Sequence, residues 1–266
     1  MKRVVFNQKG GVGKTSIACN LAAISAGMGY RTLVVDLDVQ GNTTHYLVGE
    51  IDANEFPAEA QGVAGLFKQT VGSRKMRQNP DSFVWETPYD NLFLMPSSPA
   101  LGDMEKELES RYKIYKLRDA LIKLDEEYDR VYIDTPPNLN FYSKSALIAA
   151  DSLLIPFDCD SFARQSLYTL LDNIAELQED HNPDLEVEGI VINQFNSQAR
   201  LPTELVVELE EEGLPILSAY LSTSVKMKES HREHRPLIDL APSHKLTGQF
   251  LDLHAQLENA LAKAAA

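Results

Sequence analysis

A glycine-rich stretch with two lysines, directly after the first apolar run, constrains this chain more than any other feature. The run ends at Asn7, and the chain continues as Gln8-Lys9-Gly10-Gly11-Val12-Gly13-Lys14-Thr15-Ser16. Glycines let the backbone turn tightly and approach an anion closely, so that successive N–H groups form an anion-binding nest. A helix from about Thr15 through Gly27 adds the positive end of its dipole. The stretch therefore predicts a strand, a phosphate-binding loop and a helix in succession.

The loop also predicts which atoms meet a bound phosphate. It fits the pattern G-x-x-x-x-G-K-[ST] in a modified form, because a second lysine, Lys9, precedes the glycines. Lys14 is expected to reach the β- and γ-phosphates of a nucleotide, and the Thr15 hydroxyl is expected to ligate Mg²⁺. Lys9 cannot easily serve the same phosphate from the same side, so we expect it to have a separate role.

Apolar runs alternate with helical periods along the chain, as is typical of a parallel sheet covered by helices on both faces. We predict an α/β fold, a single domain over 1–266, with an open, mostly parallel twisted sheet of about seven to eight strands. The predicted strands are Arg3–Asn7, Thr32–Asp36, Leu92–Pro96, Arg130–Asp134, Ser152–Pro156, Val187–Asn193 and a short one near Pro215–Ala219. The predicted helices are Thr15–Gly27, Leu101–Glu127, Phe141–Ala150, Ala163–Gln178, Pro202–Glu212 and Gly248–Ala262. Residues 50–90 predict an irregular insertion with a short helix near Val63–Gln69.

Three acidic residues stand at the ends of predicted strands. Asp36 and Asp38 follow the second strand, and Asp134 ends the apolar run of the fourth. Ligands of open α/β sheets bind at the carboxyl ends of the strands, so these carboxylates are expected to face the phosphate loop. An apolar strand ending in an acid is the Walker B pattern, and Asp134 is expected to hold Mg²⁺ through its waters. A solvated strand end is the alternative for Asp36 and Asp38.

The two-lysine loop resembles the deviant Walker A motif of the ParA/MinD family of ATPases, closest to the small ParA (Soj-like) partition ATPases. The run from Asp36 to Asn42 resembles the family segment D-x-D-P-Q-G-N, with Val39 in place of the usual proline. The Thr-Pro-Pro turn after Asp134 and the segment 153–163 resemble the family as well. The resemblance covers residue 3 to at least 170, with weaker traces to about 250.

The resemblance implies a P-loop NTPase fold and a slow, partner-stimulated ATP hydrolase with ATP and Mg²⁺ as cofactors. It implies that Lys9 crosses a dimer interface to the partner's nucleotide and that Lys14 acts within its own chain. It also implies that Asp38 positions the attacking water and that Asp36 supports the magnesium shell with Thr15 and Asp134. Asn193 would contact adenine, or else be an ordinary strand-end asparagine. The implied nucleotide contacts are Lys9, Gly10, Gly11, Val12, Gly13, Lys14, Thr15, Ser16 and Asn193.

The segment 226–245 is the candidate surface for DNA. It holds five Lys or Arg against three acids, plus three histidines, in a chain of net charge −14. Relatives bind DNA phosphates here without sequence preference, and only as ATP dimers, and such binding depends strongly on salt. A solvated turn whose charges pair with one another is the alternative. The candidate DNA-binding residues are Lys226, Lys228, Arg232, Arg235 and Lys245. A second basic cluster, on the predicted helix Leu101–Glu127, is mixed with acids and is interpreted as an ordinary solvated face.

The resemblance further implies partners and a location. We expect a homodimer formed with ATP, nonspecific DNA of the nucleoid, and a ParB-like or cargo-adaptor protein that stimulates hydrolysis through a basic peptide. An acidic surface suits such a peptide. The cargo would be a plasmid, a chromosome origin or a protein assembly, and the protein would be cytoplasmic and nucleoid-associated. With the first strand at the N-terminus, we expect no N-terminal helix-turn-helix extension.

The sequence fits other functions less well. A MinD-like membrane- or protein-docked regulator is the main alternative, but the amphipathic tail 250–261 has two acids and only Lys263 nearby. We therefore expect that tail to pack on the domain and predict no membrane contact. An electron-transfer ATPase needs paired cysteines around a shared cluster, whereas Cys19 and Cys159 are interpreted as core or near-core residues in a reducing cytoplasm. A small-molecule kinase or synthetase has no second substrate motif to support it.

Overall fold

A seven-stranded sheet runs through the computed structural model, which describes residues 1–49, 61–69, 78–160, 163–196 and 198–264. Its strands are β1 (Lys2–Val5), β2 (Thr32–Asp36), β3 (Trp85–Glu86), β4 (Leu92–Met95), β5 (Arg130–Asp134), β6 (Ser152–Asp158) and β7 (Glu186–Asn193). They lie in the order β3-β4-β2-β5-β1-β6-β7, and every neighbouring pair is parallel except β3 with β4. The sheet confirms the predicted fold class.

Helices cover both faces of this sheet. In chain order they are α1 (Lys14–Gly27), α2 (Asn42–Val48), α3 (Gly62–Lys68), α4 (Ala100–Ser110), α5 (Lys116–Leu124), α6 (Phe141–Ala149), α7 (Ala163–Asp180), α8 (Arg200–Glu211), α9 (Val225–Arg232), α10 (Leu237–Leu240) and α11 (Lys245–Ala264). Successive strand residues such as Val4 and Val5 belong to different hydrophobic clusters, because side chains alternate between the faces. Helices α3 to α8 pack on one face, and α1, α2, α10 and α11 pack on the other.

Two predicted elements are wrong. The helix predicted over Leu101–Glu127 is two helices, α4 and α5, because Tyr112 adopts a left-handed φ of 54° between them. The Lys113 N–H donates to the Leu108 carbonyl at 3.0 Å and closes the end of α4. No strand forms near Pro215–Ala219, where Ile216 makes a single bridge to Ile190 of β7.

The stretch over 50–90 contains more structure than the sequence predicts. The short helix near Val63–Gln69 is confirmed as α3, and β3 adds an antiparallel edge strand that the sequence did not indicate. Residues 50–60 and 70–77 of the predicted irregular insertion lie outside the described residues. The sequence analysis also does not predict helices α2, α9 and α10.

The C-terminal helix α11 packs along α1. Phe250, Leu253 and Leu257 are buried against it, and His254 Nε2 lies 2.8 Å from the Ser25 hydroxyl. The packing of the tail on the domain is therefore confirmed. Both cysteines are free thiols, Cys19 buried and Cys159 half-buried. Within the described ranges, no helix combines the length and the apolar character that a membrane crossing requires.

Candidate functional site

The phosphate loop lies between β1 and α1, at the carboxyl ends of the central strands. Gly11 and Gly13 have φ angles of 77° and 91°, which L side chains rarely adopt. A Cβ on Gly13 would also approach Asn193 Nδ2 to 2.2 Å. Glycine is therefore needed at position 13 twice over, for its backbone angle and for the close approach of a neighbouring amide.

Lys14 is a buried cation at the start of α1. Its residue is 7% exposed, and Nζ donates to the Lys9 carbonyl at 3.0 Å. Burial lowers the pKa of Lys14, while the charges of Asp134 and Asp38 oppose that shift. Lys14 forms no ion pair with any residue that the structure describes. A buried ammonium group without a paired carboxylate, beside a glycine nest, fits an anionic ligand.

Lys9 has different surroundings from Lys14. Its ammonium group pairs with Asp160, which follows β6, and both side chains are more than a third exposed. Lys9 therefore lies at the surface beside the loop, with a partner in its own chain. The sequence indicated a separate role for Lys9 but gave no sign of Asp160, because the two residues are 151 positions apart.

A carboxylate pair lies behind the loop, where β2 and β5 end side by side. Asp134 Oδ2 accepts hydrogen bonds from Thr15 Oγ1 at 2.6 Å and Thr43 Oγ1 at 2.8 Å. Asp36 Oδ2 accepts bonds from the Thr44 N–H at 2.8 Å and the Thr44 hydroxyl at 2.7 Å. Both carboxylates are fully buried, and burial raises the pKa of Asp36 to about 8 and that of Asp134 to about 6.

The donor set of this pair fits a hard cation. Asp134 Oδ1 is buried and has no hydrogen-bond partner among the described residues. An orphaned carboxylate oxygen next to a threonine hydroxyl is the kind of ligand set that Mg²⁺ prefers, either directly or through water. Thr15, Asp36 and Asp134, which the sequence singled out, are therefore brought together.

Asp38 lies in the turn after β2, half-buried. Its Oδ1 accepts the Gln40 N–H at 2.9 Å, and its carbonyl accepts the Gly41 N–H at 2.9 Å. These bonds close the turn although Val39 replaces the usual proline. The carboxylate is close enough to Lys14 to affect the pKa of that lysine. The turn therefore holds a carboxylate next to the phosphate loop, as the sequence predicted.

A cleft of about 200 Å³ adjoins the loop on the β7 side. Asn193 Nδ2 donates to the Val12 carbonyl at 2.8 Å, and Gln194 Nε2 donates to the Gly11 carbonyl at 3.0 Å. The cleft combines polar and apolar walls, as a nucleoside pocket would. Its remaining lining includes Ser222, Thr223, Ser224, Met227, Leu246 and Phe250.

The candidate DNA-binding residues lie on and around α9. Three of them have local partners: Lys226 pairs with Glu229, Arg232 with Glu233, and Arg235 donates to the Asp239 carbonyl. The side chains of Lys228 and Lys245 make no hydrogen bond or ion pair within the described part of the chain. Lys228 lines the cleft beside the loop, and Lys245 lines the adjoining surface. Much of the local charge is therefore paired, as the alternative of a self-paired segment expects.

His231 is a contact of the phosphate loop that the sequence reasoning missed. Its Nε2 lies 2.8 Å from Ser16 Oγ, and its ring stacks on Tyr46 with the centroids 4.4 Å apart. Tyr46 in turn bonds Asn20 of α1 and Ser230 of α9. The only sequence signal was its place in the charged segment, because the contact with Ser16 spans 215 positions.

Known proteins resemble this chain over most of its length. A family model described as an AAA domain matches residues 2–187. The chromosome partitioning protein ParA of Myxococcus xanthus is 36% identical over 237 residues, 88% of this chain and 79% of that protein. The structure of apo McdA from Cyanothece shares the fold, with a TM-score of 0.82, 24% identity and 98% of each chain covered.

Several similar solved structures carry bound nucleotides, and one of them shares more than a quarter of its sequence with this chain. It is described as a cobyrinic acid a,c-diamide synthase from Mycobacterium smegmatis with a bound ATP analogue and magnesium. It is 29% identical, has a TM-score of 0.74, and covers 87% of this chain and 91% of its own. From the family model and the ParA relative, the chain belongs to the ParA/MinD family of P-loop ATPases, in its small ParA (Soj-like) branch.

Proposed function

We propose that this protein is a Mg²⁺-dependent ATP hydrolase that dimerises with ATP, binds nonspecific DNA in that state, and partitions or positions a cargo. The observation that carries the proposal is the surroundings of Lys14. This buried lysine has no ion-pair partner among the described residues, and the buried carboxylates of Asp36 and Asp134 lie near it. ATP and Mg²⁺ together require an anion-binding site next to a cation-binding site. Membership of the ParA branch supports the cargo role.

The positions of the site residues support the roles that we propose for them. Lys14 would neutralise the β- and γ-phosphates, and the loop amides from Lys9 to Ser16 would surround them. Thr15, Asp36 and Asp134 would hold Mg²⁺, which supplies charge neutralisation when bound. Asp38 would orient the attacking water from its turn beside Lys14. Asn193 borders the cleft that would take the nucleoside.

Lys9 would act across the dimer. Lys9 is partly exposed and pairs with Asp160 of its own chain. In a dimer it could leave that carboxylate and bind the phosphates of the nucleotide in the second subunit. An exposed ion pair contributes less than about 1 kcal/mol, so the exchange is inexpensive. Two nucleotides would then be enclosed between two protomers.

DNA would bind on the α9 and α11 side. Lys228 and Lys245 offer cations without local partners in the described chain, and Lys226, Arg232 and Arg235 would contribute by leaving their local partners. Dimerisation doubles the patch and raises avidity without new contacts. This binding would associate the protein with the nucleoid in the cytoplasm. A ParB-like or cargo-adaptor protein would present a basic peptide to a chain of net charge −14.

The enzymatic part of the proposal is tested by light scattering and phosphate release. We expect a dimer with ATP and Mg²⁺, a monomer with ADP, and no phosphate release once EDTA removes the metal. A monomer in every nucleotide state, with no phosphate released, would contradict the proposal.

A second candidate, a small-molecule synthetase, is favoured by one observation, the 29% identity to a structure described as a diamide synthase. That chemistry consumes a carboxylic acid and a nitrogen donor along with ATP. Phosphate release that rises with such substrates, and does not respond to DNA or an adaptor, would favour it. Phosphate release that responds to DNA or an adaptor alone would favour the partition ATPase.

A further inference from the structure

Two consecutive amide side chains hold two consecutive carbonyl groups of the phosphate loop. Asn193, the last residue of β7, donates from Nδ2 to the Val12 carbonyl at 2.8 Å. Gln194 donates from Nε2 to the Gly11 carbonyl at 3.0 Å. We call this pair the amide clamp. It joins the end of β7 to the loop after β1, across 181 and 183 positions of sequence.

The clamp acts on the part of the loop that has the most freedom. Gly11 and Gly13 flank Val12, and glycine loses more backbone entropy on ordering than other residues do. A nest binds an anion only when its N–H groups point inward. A bond to each of two neighbouring carbonyls fixes the peptide planes of the loop and therefore the direction of its N–H groups.

The backbone at Gln194 is itself held in an uncommon conformation. Its φ is 55°, in the left-handed region that a non-glycine residue rarely adopts. Thr223 Oγ1 donates to the Gln194 carbonyl at 3.1 Å, and the next residue, Phe195, bonds the Leu221 carbonyl at 2.9 Å. Strain of this kind persists where surrounding contacts over-determine it, and here it aims the Gln194 side chain at the loop.

The position of Asn193 supports the same role. Its amide fills the space beside Gly13, where a Cβ would come within 2.2 Å of Nδ2. The Val12 carbonyl takes one of the two hydrogens of Asn193 Nδ2, so this amide contacts the phosphate loop directly. The observed contact therefore differs from the adenine contact that the sequence resemblance implies for Asn193.

We propose that Asn193 and Gln194 are positioning residues that hold the phosphate loop in its anion-binding shape, whatever base the nucleotide carries. The inference rests on the proposed nucleotide binding for its effect on affinity. Its effect on the order of the loop does not depend on any ligand. The two effects can therefore be measured separately.

The test uses Asn193→Ala and Gln194→Met, with Gln198→Ala as the matched control. Methionine keeps the length of glutamine but donates no hydrogen bond, and Gln198 is a nearby amide that makes no side-chain contact with the loop in the described chain. The first readout is the NMR order parameter of the amides of Gly10 to Gly13, without nucleotide. We expect the order parameter of these amides to fall from about 0.85 in the wild type toward about 0.6 in both variants. The control should match the wild type.

The second readout is the dissociation constant for non-hydrolysable ATP and GTP analogues with Mg²⁺, and for tripolyphosphate. We expect each variant to weaken all three ligands by the same factor, roughly tenfold. Loss of the ATP analogue alone in Asn193→Ala would assign that residue to adenine and overturn its place in the clamp. Unchanged loop order in both variants would overturn the clamp itself. Wild-type protein that binds none of the ligands would refute the proposed function, while the order parameters would still decide the clamp.

Discussion

Lys9 and Lys14 belong to one loop, yet one is paired at the surface and the other is buried. A buried ammonium group must find a partner, which supports the proposed role of Lys14 in binding the phosphates of its own chain's nucleotide. Lys9 has a carboxylate partner, and more than a third of its side chain is exposed. The two side chains therefore predict different defects when each is removed.

Lys14→Ala should weaken ATP binding by roughly a hundredfold, since it removes a charge-assisted hydrogen bond to the phosphates. Lys9→Ala should leave the affinity of the monomer for ATP within a few fold and abolish the ATP-dependent dimer. Calorimetry and light scattering measure the two effects. Equal loss of ATP affinity in both variants would show that Lys9 serves its own nucleotide.

Asp38→Ala should bind ATP and dimerise but hydrolyse it slowly. A residue that orients the attacking water contributes about a hundredfold to ten-thousandfold to the rate, and Asp38 stands in a turn that its backbone bonds partly maintain. Size exclusion with ATP and single-turnover phosphate release check this. A strictly monomeric elution profile would count against the role.

The sequence identified site residues that are close in the chain or stand at strand ends. Asp134 and Thr15 could be placed together because parallel strands bring their carboxyl ends to one edge. Asp160, Gln194 and His231 could not be found in this way. Each reaches the loop from another element, and no local pattern encodes which side chain arrives there.

At the scale of elements, a buried polar network joins the phosphate loop to α9. His231 contacts Ser16, and Asn20 of α1 bonds both Tyr46 and the Leu237 N–H. Asn20, Tyr46 and Ser230 are at most 1% exposed. A nucleotide bound at the start of α1 would therefore be connected, through this network of hydrogen bonds, to the helix that carries Lys226 and Lys228.

His231→Ala should leave ATP affinity within a few fold but uncouple α9 from the nucleotide. We expect hydrogen exchange over 225–232 to respond to ATP in the wild type and to lose that response in the variant. His244→Ala, in the loop before α11, is the control. His231→Gln should restore part of the response, because its amide can bond Ser16. An unchanged ATP response in His231→Ala would contradict the coupling.

The contact of α11 with α1 should make stability depend on pH. Burial lowers the pKa of His254, Glu258 opposes this shift, and Arg3 and Arg130 add to it. In the unfolded chain, histidine has a pKa of about 6.5. Below that pH the unfolded state binds a proton that the folded state excludes, so the free energy of unfolding falls as pH drops from 7 to 5.

His254→Gln removes this titration and retains a side chain that can bond Ser25. We expect the variant to lose less stability than the wild type over the same pH range, as measured by urea unfolding. His244→Gln serves as the control. Parallel pH profiles for His254→Gln and the wild type would show that the imidazole remains titratable in the fold.

Element boundaries show where sequence reasoning stops. The sequence predicts the ends of the central strands and of α1 to within two residues, because buried apolar runs and a glycine loop are strong local signals. The break between α4 and α5 lacks glycine and proline, and depends on Tyr112 adopting a left-handed angle. Helix α9 was seen as a charged segment, since few apolar residues mark its buried side.

At the scale of the whole molecule, the proposed function involves two surfaces, the phosphate loop and the basic residues around α9 and α11. Strand β1 in the middle of the sheet carries the phosphate loop, and α9 and α11 on one face carry the cations proposed for DNA. The fold class followed from the alternation of strands and helices. The pairing of Lys226 and Arg232 with acids did not, and it makes the DNA surface the part of the proposal that most needs a direct test.

The most direct test measures binding to nonspecific double-stranded DNA with ATP, with ADP and without nucleotide, each at low and high salt. We expect the protein to bind DNA only when ATP is present. Salt should weaken this binding, because phosphate contacts release counterions. Lys228→Ala and Lys245→Ala should each reduce it. Absence of DNA binding in every state, with ATP hydrolysis intact, would contradict the DNA switch and favour a MinD-like membrane- or protein-docked regulator.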